Sequence, residues 1–152
     1  MYAAISADIV SSTSFCIEET LALKQRIEDL FSILEKRFPG FWGRLIKGDY
    51  IECLLPSVKD SFRVALIIKS SIKSFPVAES KKKKLFRIYG IRMAIGIGDM
   101  RIVDKEHGIM DGEAIYLSGR TLDEMGAPNK NGTFLIVPID KRLRPALQTS
   151  AC

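Results

Sequence analysis

Tyr2-Ala3-Ala4-Ile5-Ser6-Ala7-Asp8-Ile9 opens the chain as a short β-prone run ending at a carboxylate. Ser11-Ser12-Thr13-Ser14 follows it, a cluster of small hydroxyl residues ahead of a long amphipathic pattern. A second β-prone run, Lys47-Gly48-Asp49-Tyr50-Ile51-Glu52, carries its own acid at its head. Two carboxylates at strand ends beside a hydroxyl-rich turn suit a divalent metal and a polyphosphate. Magnesium favours one or two carboxylates plus phosphate oxygens over an all-protein cage, and the N–H groups at a helix start attract anions.

The pattern between and beyond these runs sets the fold. Ile17, Leu21, Ile27, Leu30, Phe31, Leu34 and Phe38 recur at helical spacing, and Pro39-Gly40 ends the segment. Residues 41–47 and 50–55 read as two strands joined by a tight turn at Gly48-Asp49. Ser57 and Asp60 have capping-box spacing. After them Ser61, Val64, Ala65, Ile68, Ile72 and Phe75 share a helix face. Glu79 to Lys84 reads as a polar loop, Ile88 to Gly98 as a strand turning into 100–103, and Asp104 to Gly112 as a loop holding His107. Ala114, Leu117, Leu122 and Met125 suggest a third helix; Asn131-Gly132 a turn, and Thr133 to Val137 a last strand.

That order is β-α-β-β-α-β with an added hairpin and helix. It predicts an α+β, ferredoxin-like antiparallel sheet with its helices on one face. In that topology the first strand and the strand after the hairpin turn are antiparallel neighbours, so Asp8 and Asp49 meet at one corner. Residues 1–139 read as one domain, and 140–152 as a tail without a core face.

Composition narrows the class. The chain has 152 residues, 47% hydrophobic and 27% charged, ordinary for one globular domain. No apolar run approaches a membrane span, and no basic region precedes an apolar core as in a secretory signal. Cys16, Cys53 and Cys152 lie far apart and lack CxxC spacing, so they read as reduced thiols of a cytoplasmic protein. The net charge is +5, and Lys81 to Lys84 account for most of it. A basic excess confined to one run reads as a solvated loop, not as a nucleic-acid footprint. Lys47-Gly48-Asp49-Tyr50-Ile51 loosely mimics a ribonucleoprotein motif. Asp49 and Glu52 put negative charge on that sheet, which repels an RNA backbone.

Four stretches then occur in a telling order. They are Ala7-Asp8-Ile9-Val10 with Ser12-Thr13, Ile46-Lys47-Gly48-Asp49-Tyr50, Arg92-Met93-Ala94-Ile95-Gly96-Ile97-Gly98, and Gly112-Glu113-Ala114-Ile115-Tyr116-Leu117-Ser118-Gly119-Arg120. From about Ala3 to Gly126 the chain resembles the palm-like catalytic domain of class III nucleotidyl cyclases, and within that group the small bacterial SatD-like proteins. The resemblance implies that Asp8, Asp49 and the Ile9 backbone carbonyl hold Mg2+ or Mn2+ over a nucleoside triphosphate. Ser11, Ser12, Thr13 and Ser14 would cradle its phosphates, and Arg120 would stabilise transition-state charge. It also implies a homodimer and, by analogy with SatD-like proteins, a helix-turn-helix output segment downstream.

The departures fall on the base and transition-state half of the site. Tyr116 stands where the family has an asparagine, and a phenol lacks an amide's paired donor and acceptor. Leu45 stands in place of the base-reading lysine, leaving Arg44 or Lys47 as displaced candidates. Ile109 falls where a second base-selecting residue is expected, with Asp111 and Glu113 close by. Lys47, Asp111 and Tyr116 are therefore the candidate base contacts. The sequence points to a nucleotide- and metal-binding regulatory sensor, better suited to binding than to turnover. An active cyclase is the alternative reading, and RNA binding a minor one.

Overall fold

A computed structural model describes residues 1–125 and the strand residues 135–136. Its elements are β1 (Tyr2–Ile9), α1 (Ile17–Arg37), β2 (Trp42–Ile46), β3 (Tyr50–Leu55), α2 (Ser61–Lys73), α3 (Lys84–Tyr89), β4 (Ile91–Gly98), β5 (Met100–Asp104), β6 (Ile109–Gly112), α4 (Glu113–Glu124) and β7 (Leu135–Ile136). The main sheet runs β2-β3-β1-β4-β7, and β5 and β6 form a separate ribbon. β1 is antiparallel to both β3 and β4, and β7 joins the edge parallel to β4. The split unit β1-α1-β2-β3-α2-β4 therefore takes the α+β arrangement expected, with α3 inserted before β4. The Asn131-Gly132 turn and the tail lie outside the described residues.

β1 is buried on both faces, which is why its sequence lacks alternation. Ala3, Ile5, Ala7 and Ile9 pack with Ile51, Cys53, Leu55, Ile91, Met93 and Ile95 beneath the inner residues of α1 and α2. Ala4 points to the other side, where it meets Leu54 and Ala114 of α4. The two helices of the split unit share one face, as expected, and the added helix α4 covers part of the other. Gly96 on β4 permits that approach. A Cβ there would lie 2.6 Å from the Ser118 amide nitrogen and closer still to the Ala114 carbonyl oxygen. Ser6 and Ser118, both fully buried, share a hydroxyl hydrogen bond of 2.7 Å across this contact.

Several local expectations are corrected. α1 buries Leu23, Ile27, Phe31 and Leu34, whereas Ile17 and Leu21 are 75% and 62% exposed. At 100° per residue, Leu21 lies about 200° round the helix from Leu23, so the two cannot share a face. Ser57 and Asp60 form no capping box: the Ser57 hydroxyl donates to the Asp60 carboxylate instead, at 2.8 Å. The segment read as a polar loop leading to a strand contains α3, anchored by the fully buried Phe86, whose ring meets Phe15 edge-on at 4.8 Å. Gly90, at φ +68°, ends that helix, so β4 starts at Ile91. Lys83 in the lysine run is not solvated. It is buried and pairs with Glu19 at 2.5 Å, while Lys81, Lys82 and Lys84 are exposed. The loop holding His107 is the tip of the ribbon, with His107 exposed and bonded to Asp104 at 2.8 Å. No described helix is long and apolar enough to cross a membrane.

Candidate functional site

The site is built where β1 ends. Asp8 is in register with Tyr50, and the Ile9 N–H donates to the Asp49 carbonyl at 2.9 Å. The two acids thus meet at one corner, as the topology predicts. Ser11 takes a left-handed conformation (φ 56°) that turns the chain out of β1. Ser12–Ser14 then form one 3-10 turn, in which the Ser14 hydroxyl donates back to the Ser11 carbonyl at 2.6 Å. The Ser12 hydroxyl donates across to the Asp49 carboxylate at 3.3 Å.

On the far side the β2–β3 turn holds both Lys47 (φ 52°) and Gly48 (φ 82°) in the left-handed region. A cleft of about 200 Å³ opens between the two turns, lined by Ser12, Thr13, Thr20, Lys47, Gly48 and Asp49. Thr20 was not singled out from sequence; it sits one turn into α1, its hydroxyl bonded to the Cys16 carbonyl at 2.9 Å. The start of α1 is itself already satisfied. Cys16 caps it in a reciprocal box with Glu19, and Glu18 and Glu19 put negative charge on its first turn. An anion here would meet the hydroxyls and Lys47, not the helix dipole.

The remaining candidates lie elsewhere. Tyr116 and Arg120 are on the exposed side of α4, where the Arg120 guanidinium donates to the Tyr116 hydroxyl and the Glu124 carboxylate, both at 3.1 Å. Asp111 is on the ribbon, paired with Arg101. It lines a separate cavity of about 540 Å³ with Asp99, Met100, Gly112 and Glu113. Among the candidate base contacts, only Lys47 reaches the corner cleft. Arg44 is held by Glu52 at 2.9 Å and the Gly108 carbonyl at 2.8 Å. Tyr50, also missed from sequence, is a half-buried phenol whose titration is pushed up by burial; its hydroxyl lies close to Gly119 and Ser6.

No family model matches the chain, and no curated protein does. Solved structures do. A monomeric guanylyl cyclase domain from the aquatic fungus Blastocladiella emersonii aligns at TM-score 0.58 and 18% identity, over 80% of this chain and 74% of that one. The fold is that of a nucleotide cyclase catalytic domain. The guanylate cyclase domain from Catenaria anguillulae, solved in complex with GTP, aligns at TM-score 0.53 and 17% identity, over 80% and 71%. A bacterial light-regulated adenylyl cyclase gives 0.53 and 13%, over 82% and 69%.

On this cyclase fold the metal corner departs from what the sequence resemblance implies. Arg92 of β4 is in register with Asp8 and takes both of its oxygens, Nε to Oδ1 at 3.0 Å and Nη2 to Oδ2. Among the described residues no group of three His, Cys, Asp or Glu could hold a metal ion. With the Asp8 carboxylate engaged by Arg92, the two aspartates do not present two open carboxylates at the corner. Among the described residues the Asp49 carboxylate has one long bond, from Ser12, whereas the Asp8 carboxylate is paired with Arg92.

Proposed function

We propose that this chain is a nucleotide-binding regulatory domain on a cyclase fold, built to bind and not to turn over. The observation that carries the reading is the corner cleft, lined by Ser12, Thr13, Thr20, Lys47, Gly48 and Asp49. Hydroxyls and an ammonium group suit phosphate oxygens. Weak turnover follows from two placements. Asp8 is occupied by Arg92, and the Arg120 guanidinium bonds Tyr116 and Glu124 on its own helix. Arg120 would then serve a site only across an interface with a second copy. Ile102, Ile109 and Tyr116, exposed on the ribbon and α4, supply apolar surface for such a homodimer.

The test is thermal unfolding of the wild type, Lys47→Ala and Asp49→Asn against each nucleoside triphosphate, with Mg2+, with Mn2+ and with EDTA. Ligand at a hundred times its Kd stabilises by about 2.7 kcal/mol, which raises the Tm of a domain this size by about 5–10 °C. The wild type should shift, and Lys47→Ala should shift less. No shift with any triphosphate at millimolar concentration would overturn the nucleotide reading. Cyclic product forming in the same samples would replace sensor with enzyme.

A further inference from the structure

We infer that Arg92 is the resident cation of Asp8, and that it keeps this corner from taking a divalent metal at that carboxylate. The sheet register sets the pair directly opposite one another on β1 and β4, and their side chains are only 27% (Asp8) and 13% (Arg92) exposed. The contact is a two-point fork, the geometry in which a guanidinium binds a carboxylate most strongly. Neighbours hold the fork in place. Ile91 and Met93 flank Arg92 and are buried in the core, and Ala7 and Ile9 flank Asp8 in the same cluster.

A metal approaching Asp8 has to displace two charge-assisted hydrogen bonds and sit beside a guanidinium that does not lose its proton. The Asp49 carboxylate contrasts with it: among the described residues its one bond comes from Ser12 at 3.3 Å. Without Asp8 the corner keeps one open carboxylate, and a hard cation there has to draw its other oxygens from water or a bound phosphate. The inference rests on the corner being the functional site, but its test uses no nucleotide, so the two readings fail separately.

The probe is Mn2+ alone, its free concentration read by electron paramagnetic resonance, on the full chain. Wild type and Asp8→Asn should bind Mn2+ equally weakly. Arg92→Met should gain one site, tighter by on the order of tenfold or more, the scale on which partners of metal ligands act. That gain should vanish in Arg92→Met combined with Asp8→Asn. Arg92→Gln, which keeps a donor for Asp8, serves if Arg92→Met fails to fold, and circular dichroism establishes which variants are folded. A wild-type site lost in Asp8→Asn, or no gain in a folded Arg92 variant, would overturn the inference.

Discussion

Replacing Gly96 with alanine tests whether α4 is seated on β4 as closely as the fold requires. The added Cβ would lie 2.6 Å from the Ser118 nitrogen, nearer still to the Ala114 carbonyl oxygen, and 3.1 Å from the Leu117 Cβ. Two of these neighbours are backbone atoms of one helix, so relief needs α4 to move by roughly 1 Å toward ordinary contact distance. That motion stretches the 2.7 Å Ser6–Ser118 hydrogen bond past its useful range, a loss of about 1 kcal/mol. It also loosens Ala114 and Leu122, at about 1–2 kcal/mol for an overpacked contact. The unfolded chain loses freedom on Gly→Ala, which returns about 0.5 kcal/mol. The net cost is about 2 kcal/mol, or about 4–8 °C in Tm. Urea unfolding should show a lower midpoint with an unchanged slope. In a Ser118→Ala background the hydrogen-bond part is already gone, so Gly96→Ala should cost about 1 kcal/mol less there. Gly96→Ala within 0.5 kcal/mol of wild type would refute the close seating of α4.

Two further perturbations probe the supports around the site. Arg44→Met leaves Glu52, whose side chain is only 11% exposed, without its guanidinium partner. Because Arg44 is itself 39% exposed, the loss should be about 2 kcal/mol, below that of a fully buried pair. Adding Glu52→Gln should recover part of it, and urea midpoints of the singles and the double decide. Lys83→Met gives a pH signature. The Lys83 ammonium, then the Cys16 N–H, lower the Glu19 carboxyl from 4.5 to about 2. A carboxylate depressed by folding stabilises above its unfolded value and loses that contribution as pH falls toward its folded value. Wild type should therefore exceed Lys83→Met in stability above pH 4.5, with the two converging toward pH 2. A gap that stays constant across that range in urea titrations would contradict the pairing.

The strand order, the hairpin and the inner face of α2 were legible because each rests on local pattern plus one topological rule. Asp8 and Asp49 could be brought together from sequence for that reason: the hairpin fixes the end of β3, and the split topology sets it beside β1. Arg92 could not be paired with Asp8 in the same way. Their opposition depends on the register of β4, and the sequence places the start of that strand at Ile88 because the six residues of α3 are too few to show a helical period. Gly90, with its positive φ, is the signal that would have moved the strand to Ile91. Lys83 misled for a different reason: four adjacent lysines look alike, and only contact with Glu19 singles one out. Ser118 carried no hydrophobic signal at all. It is buried because its hydroxyl finds Ser6, a pairing between residues 112 positions apart.

The charge at the corner connects the fold to the proposed function. Two bare carboxylates there would repel a polyphosphate until cations arrived, at about 3 kcal/mol for each unit pair roughly 5 Å apart in a dielectric of about 20. Arg92 cancels the charge of Asp8 from within the sheet, and Lys47 lines the same cleft as Asp49. The corner therefore carries less negative charge than two open aspartates would. On the proposed reading, a cyclase fold arranged this way has a weaker negative field for gathering divalent metals. It keeps the hydroxyls and the ammonium group that phosphate oxygens require. On the proposed reading, anion binding without metal chemistry is the combination a sensor uses, and one register position, Arg92 opposite Asp8, favours it.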